Sequence, residues 1–206
     1  MVQSDVAATA TRGSVGVWIF RVLLIAGAAF MIYSWLAPWW SAKVAVIPGD
    51  DHMVMHPWGV DAVAQVRANT DTSQFDMPAF FGPLMWAYLV ASMLFLAAAL
   101  FVNQTIRIGR FNIPLAVLLI LAVGLSYMIA VGAAYGIGTL RASWAGANFV
   151  GKSTIIEPQS EAKIKMVSQL RIGFWLALAA GGVLTFLGLI RGFLVKSPKP
   201  FRIAKS

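Results

Sequence analysis

The chain has 206 residues, of which 59% are hydrophobic and 12% charged, whereas soluble proteins have about 45–50% apolar and about 25% charged residues. This composition predicts a membrane protein, and the absence of cysteine excludes disulfides, iron–sulfur clusters and zinc thiolate sites. The net charge of +8 would suggest nucleic-acid binding in a soluble protein, but in a membrane protein topology explains it, so we expect no nucleic-acid partner.

Four apolar segments are long enough to cross a bilayer. They predict spans at about residues 14–37, 78–102, 112–138 and 172–195. The predicted fold class is therefore all-α, a polytopic integral membrane protein with one helical membrane domain over residues 14–195. The first span is too long, and its flank too weakly basic, for a cleaved signal peptide.

The remaining segments are predicted to be tails and outer loops. Residues 1–13 are small and polar and predict a mobile tail, and residues 196–206 form a basic tail. Residues 38–77 and 139–171 form two polar loops on one side of the membrane. Pro158 suits the first turn of a helix, so we expect the fourth helix to begin there and to project beyond the membrane.

The distribution of charge predicts the orientation. Seven of the eight acidic residues lie in the two loops. On the other side, positive residues, among them Arg191, are concentrated in short segments at or beside the ends of the spans. We therefore expect both termini in the cytoplasm, the loops in the periplasm or extracellular space, and the chain in the cell membrane.

Arg21 is the charged residue inside the first span. The simplest interpretation is that its long side chain reaches the headgroups, and the alternative is a pairing with a partner subunit or a lipid phosphate. Intramembrane charges mark ion paths and proton relays, so spans this poor in charge disfavour a pump, a transporter or a channel. No histidine lies in a span, which excludes a bis-histidine haem there.

Residues 146–153, Gly-Ala-Asn-Phe-Val-Gly-Lys-Ser, match the phosphate-binding pattern G-x-x-x-x-G-K-[ST]. That chemistry needs a strand before the glycines and a helix after them, so that backbone N–H groups surround the phosphate. Here a membrane span and a polar segment come first, and no acidic strand follows to hold magnesium. We therefore interpret the match as a glycine-rich loop and expect no nucleotide partner.

Residues 50–56, Asp-Asp-His-Met-Val-Met-His, are the densest group of candidate metal ligands. His52, His56 and Asp51 could bind copper or another metal, because imidazole and carboxylate groups suit such ions and thioethers favour Cu(I). Prolines on both sides favour a strand or a loop over a helix. The alternative is a polar turn whose histidines lie at the membrane interface.

Two further sets of residues are predicted to have structural roles. The pairs Gly132-x-x-x-Gly136 and Gly188-x-x-x-Gly192 are typical of helices that pack closely in membranes. Trp39 and Trp40, together with Arg21, are predicted at the membrane interface, where indole rings prefer the headgroup region.

The layout of four spans and two unequal outer loops resembles the topology of claudins and tetraspanins. The motifs of those families depend on loop cysteines, so the resemblance assigns no family. The leading prediction is a non-catalytic helical subunit or organiser of a membrane complex, with the bilayer and other membrane subunits or further copies of the chain as partners. The alternative is a membrane subunit of a copper or other metal-dependent redox enzyme with an outward-facing site; we expect no catalysis by the chain alone.

Overall fold

The computed structural model describes residues 2–69, 77–102, 104–108, 111–156 and 163–194. Within these ranges the chain forms five helices: α1 (Val2–Leu36), α2 (Ala64–Asn69), α3 (Phe81–Phe101), α4 (Leu115–Trp144) and α5 (Ile172–Leu194).

Four of these helices contain segments long and apolar enough to span a membrane: Val15–Leu36, Phe81–Phe101, Leu115–Trp144 and Ile172–Arg191. Four spanning segments are therefore confirmed by length and composition. Their bounds lie within a few residues of the predicted spans, and α4 extends furthest beyond its predicted end. Helix α1 begins at Val2, so it includes most of the segment predicted as a tail.

The prediction of an all-α fold is wrong, because the described part of both loops forms strands. They are β1 (Trp40–Val44), β2 (Met53–His56), β3 (Gly59–Ala62), β6 (Gly151–Ile156) and β7 (Lys163–Leu170). These strands form one antiparallel sheet in the order β3-β2-β1-β7-β6. The flanking prolines predicted a strand or a loop near residues 50–56, and Met53–His56 form strand β2.

The predicted start of the fourth helix at Pro158 is also wrong. Pro158 lies outside the described residues, and α5 begins only at Ile172, after strand β7. Burial in β7 alternates, with Ile164 and Met166 less exposed than their lysine neighbours. This period of two fits a strand with one buried face, and pairing with β1 satisfies its backbone groups.

The sheet continues directly from two helices of the bundle. Strand β1 starts shortly after α1 ends, and Arg171 is the single residue between β7 and α5. The Gly173 N–H donates to the Pro38 carbonyl oxygen at 3.0 Å, and a Cβ at Gly173 would stand 2.5 Å from that oxygen. Both loops therefore lie at the same end of the bundle, and the sheet is fixed to it by short backbone connections.

The bundle core lies between α1, α4 and α5. Its largest fully buried side chains include Leu24, Met31, Ile120, Tyr127 and Leu184. Two hydroxyls bond inside this apolar region: Ser34 Oγ donates to the Met31 carbonyl at 2.8 Å and lies 2.9 Å from the Tyr127 hydroxyl. The pairing satisfies polar atoms that would otherwise be costly to bury.

A second, short hairpin joins α3 to α4. It consists of β4 (Thr105–Ile108) and β5 (Phe111–Pro114), which pair antiparallel. The N-terminus of α3 lies near the sheet, where a Cβ at Gly82 would be 3.4 Å from the Trp58 carbonyl oxygen. The hairpin at the other end of α3 is therefore remote from the sheet.

Candidate interaction surface

One face of the sheet is exposed and mostly basic. We call it the outer sheet face and define it by Lys43, Lys152, Thr154, Lys163, Lys165, Val167 and Gln169, all of which are exposed. Strand register places Lys43 and Lys152 on either side of Val167, and Thr154 opposite Lys165. The Lys43 ammonium is bonded to the Asp50 carboxylate at 2.6 Å. The outer sheet face thus carries lysines on both sides of an exposed apolar residue, Val167.

The opposite face of the sheet is apolar and packed. Trp40, Ala42, Met53, Phe149 and Met166 are buried there in one cluster. The rings of Trp40 and Phe149 stack with centroids 5.4 Å apart. The inner face therefore supplies the hydrophobic contact that holds the sheet in place.

A small cavity remains between this inner face and the end of α4. Its volume is about 50 Å³, and its lining includes Met55, Met77, Met166 and Arg141. The Arg141 Nη1 group lies 3.5 Å from the Met77 sulfur. Substrate pockets usually measure about 300–1,000 Å³. This cavity is therefore smaller than a usual substrate pocket.

His52 is buried and bonds within its own loop. The Val44 N–H donates to His52 Nδ1 at 2.9 Å, and Nε2 lies 3.4 Å from the Pro48 carbonyl oxygen. Because Nδ1 accepts a hydrogen bond, the neutral ring carries its proton on Nε2. His52 thus fixes the turn between β1 and β2.

Asp51 forms an ion pair with Arg171, in a loop position with φ of 51°. The same guanidinium donates from Nε to Ser41 Oγ at 2.8 Å. One arginine at the start of α5 therefore joins the β1–β2 loop to strand β1. An aspartate tolerates this left-handed backbone better than most side chains do.

His56 stacks on Trp58, with ring centroids 4.6 Å apart, and Trp58 stacks on Trp86 of α3 at 5.1 Å. This three-ring stack connects the β2–β3 turn to the bundle. Burial lowers the pKa of His56 below its ordinary value of 6.5, and the Asp61 carboxylate opposes that shift. The buried Nδ1 atom has no hydrogen-bond partner among the described residues.

The three predicted metal ligands therefore have three different partners. His52 bonds backbone groups, Asp51 bonds Arg171, and His56 stacks on Trp58. In the described part of the chain, no three His, Cys, Asp or Glu side chains form a group that could hold a metal ion. Each of the three predicted metal ligands thus has a structural role in holding the sheet and its loops together.

The segment that matches the phosphate-binding pattern leads into a strand. Gly151, Lys152 and Ser153 begin β6, and Ser153 Oγ accepts a hydrogen bond from the Asn148 N–H at 2.8 Å. The lysine is therefore followed directly by a strand and not by the helix N-terminus that the pattern requires for holding a phosphate.

The two predicted interface tryptophans are inside the protein. Trp39 donates from Nε1 to the Ser34 carbonyl at 3.0 Å, and Trp40 donates to the Phe149 carbonyl at 2.5 Å. Both are buried at the junction of bundle and sheet. Arg21 lies over the exposed Trp18 ring, 5.7 Å from its centroid.

The predicted glycine pairs differ in their surroundings. A Cβ at Gly132 or Gly136 would meet no atom within 4 Å, whereas one at Gly188 would approach Leu121 at 2.9 Å. The surroundings of Gly192 lie outside the described part of the structure. Within the chain, the pair Gly188-x-x-x-Gly192 thus includes one position in contact with a neighbouring helix.

Sequence reasoning missed the role of Arg171 and the close packing of Gly124 against the backbone of α5. Arg171 is the last residue of the second predicted loop, and its partners Ser41 and Asp51 lie in the first. Gly124 stands alone in α4 with no glycine four residues away. A search for paired small residues therefore could not find it.

Comparison with known proteins assigns no relative to the chain. No protein-family model matches it, and no curated protein matches it significantly.

Proposed function

We propose that the protein is a non-catalytic subunit, or organiser, of a membrane complex that holds a rigid basic sheet against the membrane for a partner protein. The outer sheet face carries the proposal, because it is an exposed polar surface that strands from both loops build together. The potential ligands nearby are engaged in holding the loops together.

Rigidity supports this role. A surface that recognises a partner costs less ordering entropy when it is already fixed before binding. Here β1 and β7 connect to α1 and α5 through short segments. In these segments the backbone N–H of Trp39 donates to the Met55 carbonyl at 2.9 Å, and the backbone N–H of Arg171 donates to the Trp39 carbonyl at 2.9 Å. The sheet therefore cannot tilt without breaking bonds at the helix ends.

The basic outer face favours an acidic partner surface. Lys152, Lys163 and Lys165 are exposed beside one another on β6 and β7. Charge complementarity mainly raises the rate of association and fixes orientation. Val167, 45% exposed at the centre of the face, supplies an apolar contact.

The proposed location is the cell membrane, with both termini in the cytoplasm and the sheet on the outer side. The support is the charge distribution, since seven of the eight acidic residues lie in the segments that form the sheet and its connections. Short segments rich in Lys and Arg at the other ends of the spans favour the cytoplasm.

Photo-crosslinking in intact membranes tests the proposal. A photoreactive amino acid replaces Lys165 or Val167 on the outer sheet face, and in a control it replaces Val90, which is exposed on α3. We expect a discrete crosslinked protein from positions 165 and 167, and we expect Lys165→Glu combined with Lys163→Glu to abolish the crosslink from position 167.

Two results would contradict the proposal. The first is the absence of any protein crosslink from the outer sheet face while the chain purifies from native membranes as a lone monomer. The second is a crosslink whose yield is unchanged by the double glutamate substitution and equal at Val90, since contact would then be unrelated to the sheet.

A metal-dependent redox role gains no supporting observation from the described residues and stays a prediction from the sequence. Its test is the copper content of the purified chain and of its native complex. A content that falls by about ten- to a hundredfold in the His52→Ala, His56→Ala variant would establish the site. An unchanged content would reject it.

A further inference from the structure

The end of the bundle remote from the sheet contains a buried arginine. Arg191 of α5 is only 5% exposed, and its guanidinium lies over the Phe20 ring of α1, 5.6 Å from the centroid. Its Nε atom is buried and has no hydrogen-bond partner among the described residues. A cationic donor in this position is costly unless an anion or acceptor bonds to it.

No carboxylate among the described side chains can pair with this guanidinium. The described carboxylates are Asp50, Asp51 and Asp61, and all three lie in the loop that contains β1, β2 and β3. Asp5 is on α1, but fifteen residues of helix before Phe20 correspond to about 22 Å. The counter-charge must therefore come from outside these residues.

The depth of Arg191 indicates where that charge lies. Nineteen residues of helix separate Arg191 from Ile172 at the sheet end, which corresponds to about 28 Å. The hydrocarbon layer of a bilayer is about 30 Å thick. With the sheet at one headgroup layer, Arg191 reaches the other, where phosphate groups are the abundant anions.

We propose that Arg191, held between α1 and α5 by Phe20, binds a phosphate oxyanion, supplied by the headgroup of an anionic phospholipid. Guanidinium offers donors in a planar fork that matches phosphate oxygens, and an Arg–phosphate bond is stronger than one between neutral groups. Contact with the Phe20 ring positions the guanidinium before the lipid arrives. An anionic headgroup is favoured over a choline headgroup, whose own ammonium competes for its phosphate.

Native mass spectrometry of the full-length chain in detergent provides the test, with phosphatidylglycerol, phosphatidylcholine and inorganic phosphate as separate probes. The variant is Arg191→Gln, which keeps the approximate length and removes the charge. The matched control is Arg21→Gln, because Arg21 lies at the same end but over the exposed ring of Trp18. We expect one phosphatidylglycerol bound at least about tenfold more weakly in Arg191→Gln and unchanged in Arg21→Gln.

The other outcomes are equally decisive. An Arg191-dependent stabilisation by inorganic phosphate, equal to that by the lipid, would keep the oxyanion site and make free phosphate its ligand. Equal lipid binding by the unaltered chain, Arg191→Gln and Arg21→Gln would overturn the proposal. If Arg191→Gln fails to fold, Arg191→Lys replaces it. A failure of the unaltered chain to prefer phosphatidylglycerol over phosphatidylcholine, or to respond to phosphate, would then reject the site.

Discussion

Gly124 of α4 and Gly181 of α5 lie backbone against backbone, so that a Cβ added at Gly124 would stand 3.0 Å from the Gly181 carbonyl oxygen. The same Cβ would be 2.7 Å from the backbone nitrogen of Thr185. Backbone atoms in a helix cannot rotate away as a side chain can. The two helices must therefore separate to admit even one methyl group.

We expect Gly124→Ala to lower the free energy of unfolding by about 1–3 kcal/mol, the usual cost of overpacking. Thermal unfolding in detergent measures it, with Gly132→Ala and Gly136→Ala as controls from the same helix. A Cβ at either control position meets no atom within 4 Å, so those variants should be neutral or more stable. Equal loss in all three would show that contact between Gly124 and α5 is not the cause of the loss.

The buried hydroxyl pair of Ser34 and Tyr127 should respond unequally to removal of each partner. Ser34 Oγ donates to the Met31 carbonyl, so the Tyr127 hydroxyl donates to Ser34. Ser34→Ala leaves the Tyr127 donor buried without an acceptor, which costs about 1–3 kcal/mol. Tyr127→Phe removes the donor itself, and Ser34 keeps its bond to Met31.

We therefore expect Ser34→Ala to be more destabilising than Tyr127→Phe, as measured by thermal unfolding in the same detergent. In the double variant, the penalty of Ser34→Ala should largely disappear, because no orphan donor remains. A double variant whose loss equals the sum of the two single losses would mean that the hydroxyls do not interact.

Protonation of His56 should weaken the fold. Burial lowers the pKa of the folded-state imidazole below 6.5. Between that lowered pKa and 6.5, the unfolded chain binds more protons than the folded chain, so stability increases with pH in this window. The contribution of the neutral His56 ring to folding stability is complete above about pH 6.5 and is lost as the pH falls below that value.

The measurement is the melting temperature between pH 7.5 and pH 5.5, with His56→Phe as the matched variant. Phenylalanine keeps the stack on Trp58 and cannot titrate, and it removes a buried Nδ1 atom that has no partner among the described residues. We expect the melting temperature of the unaltered chain to fall further than that of the variant. Parallel curves would refute the role of His56.

Single introduced cysteines should establish the orientation, because the native chain contains no cysteine to interfere. Positions Ala45 and Val150 flank strands of the sheet. A membrane-impermeant maleimide should label both from outside intact cells, and a cysteine after residue 200 should react only in opened cells. Labelling of position 150 from the cytoplasmic side alone would invert the proposed topology.

The four spanning helices are predictable because length and apolarity within one continuous segment are enough to define them. The sheet is harder to predict, since Trp40 pairs with Leu170 and the two strands are separated by most of the chain. A usable signal exists at the start of β7, where Ile164 and Met166 alternate with Lys163 and Lys165. Its polarity suits a helix that projects from the membrane as well as a strand, and only the β1 partner decides between them.

The candidate metal ligands show a similar limit. Composition identifies His52, His56 and Asp51 as chemically capable groups, and it contains no information about which neighbours will engage them. The Asp51 carboxylate is paired with Arg171, more than a hundred positions later in the sequence. Such long-range pairing follows from the sheet, so an all-α prediction could not include it.

The pairing of β1 with β7 also determines the order in which the protein can be assembled. Ribosomes release the first loop long before α5 exists, at roughly 5–20 residues per second. During that interval β1 lacks the neighbour on one side that its backbone requires, and its edge is open to pairing with another chain. Closure of the sheet therefore waits for insertion of the last span, and a chain that stops after α4 would expose a template for aggregation at the membrane surface.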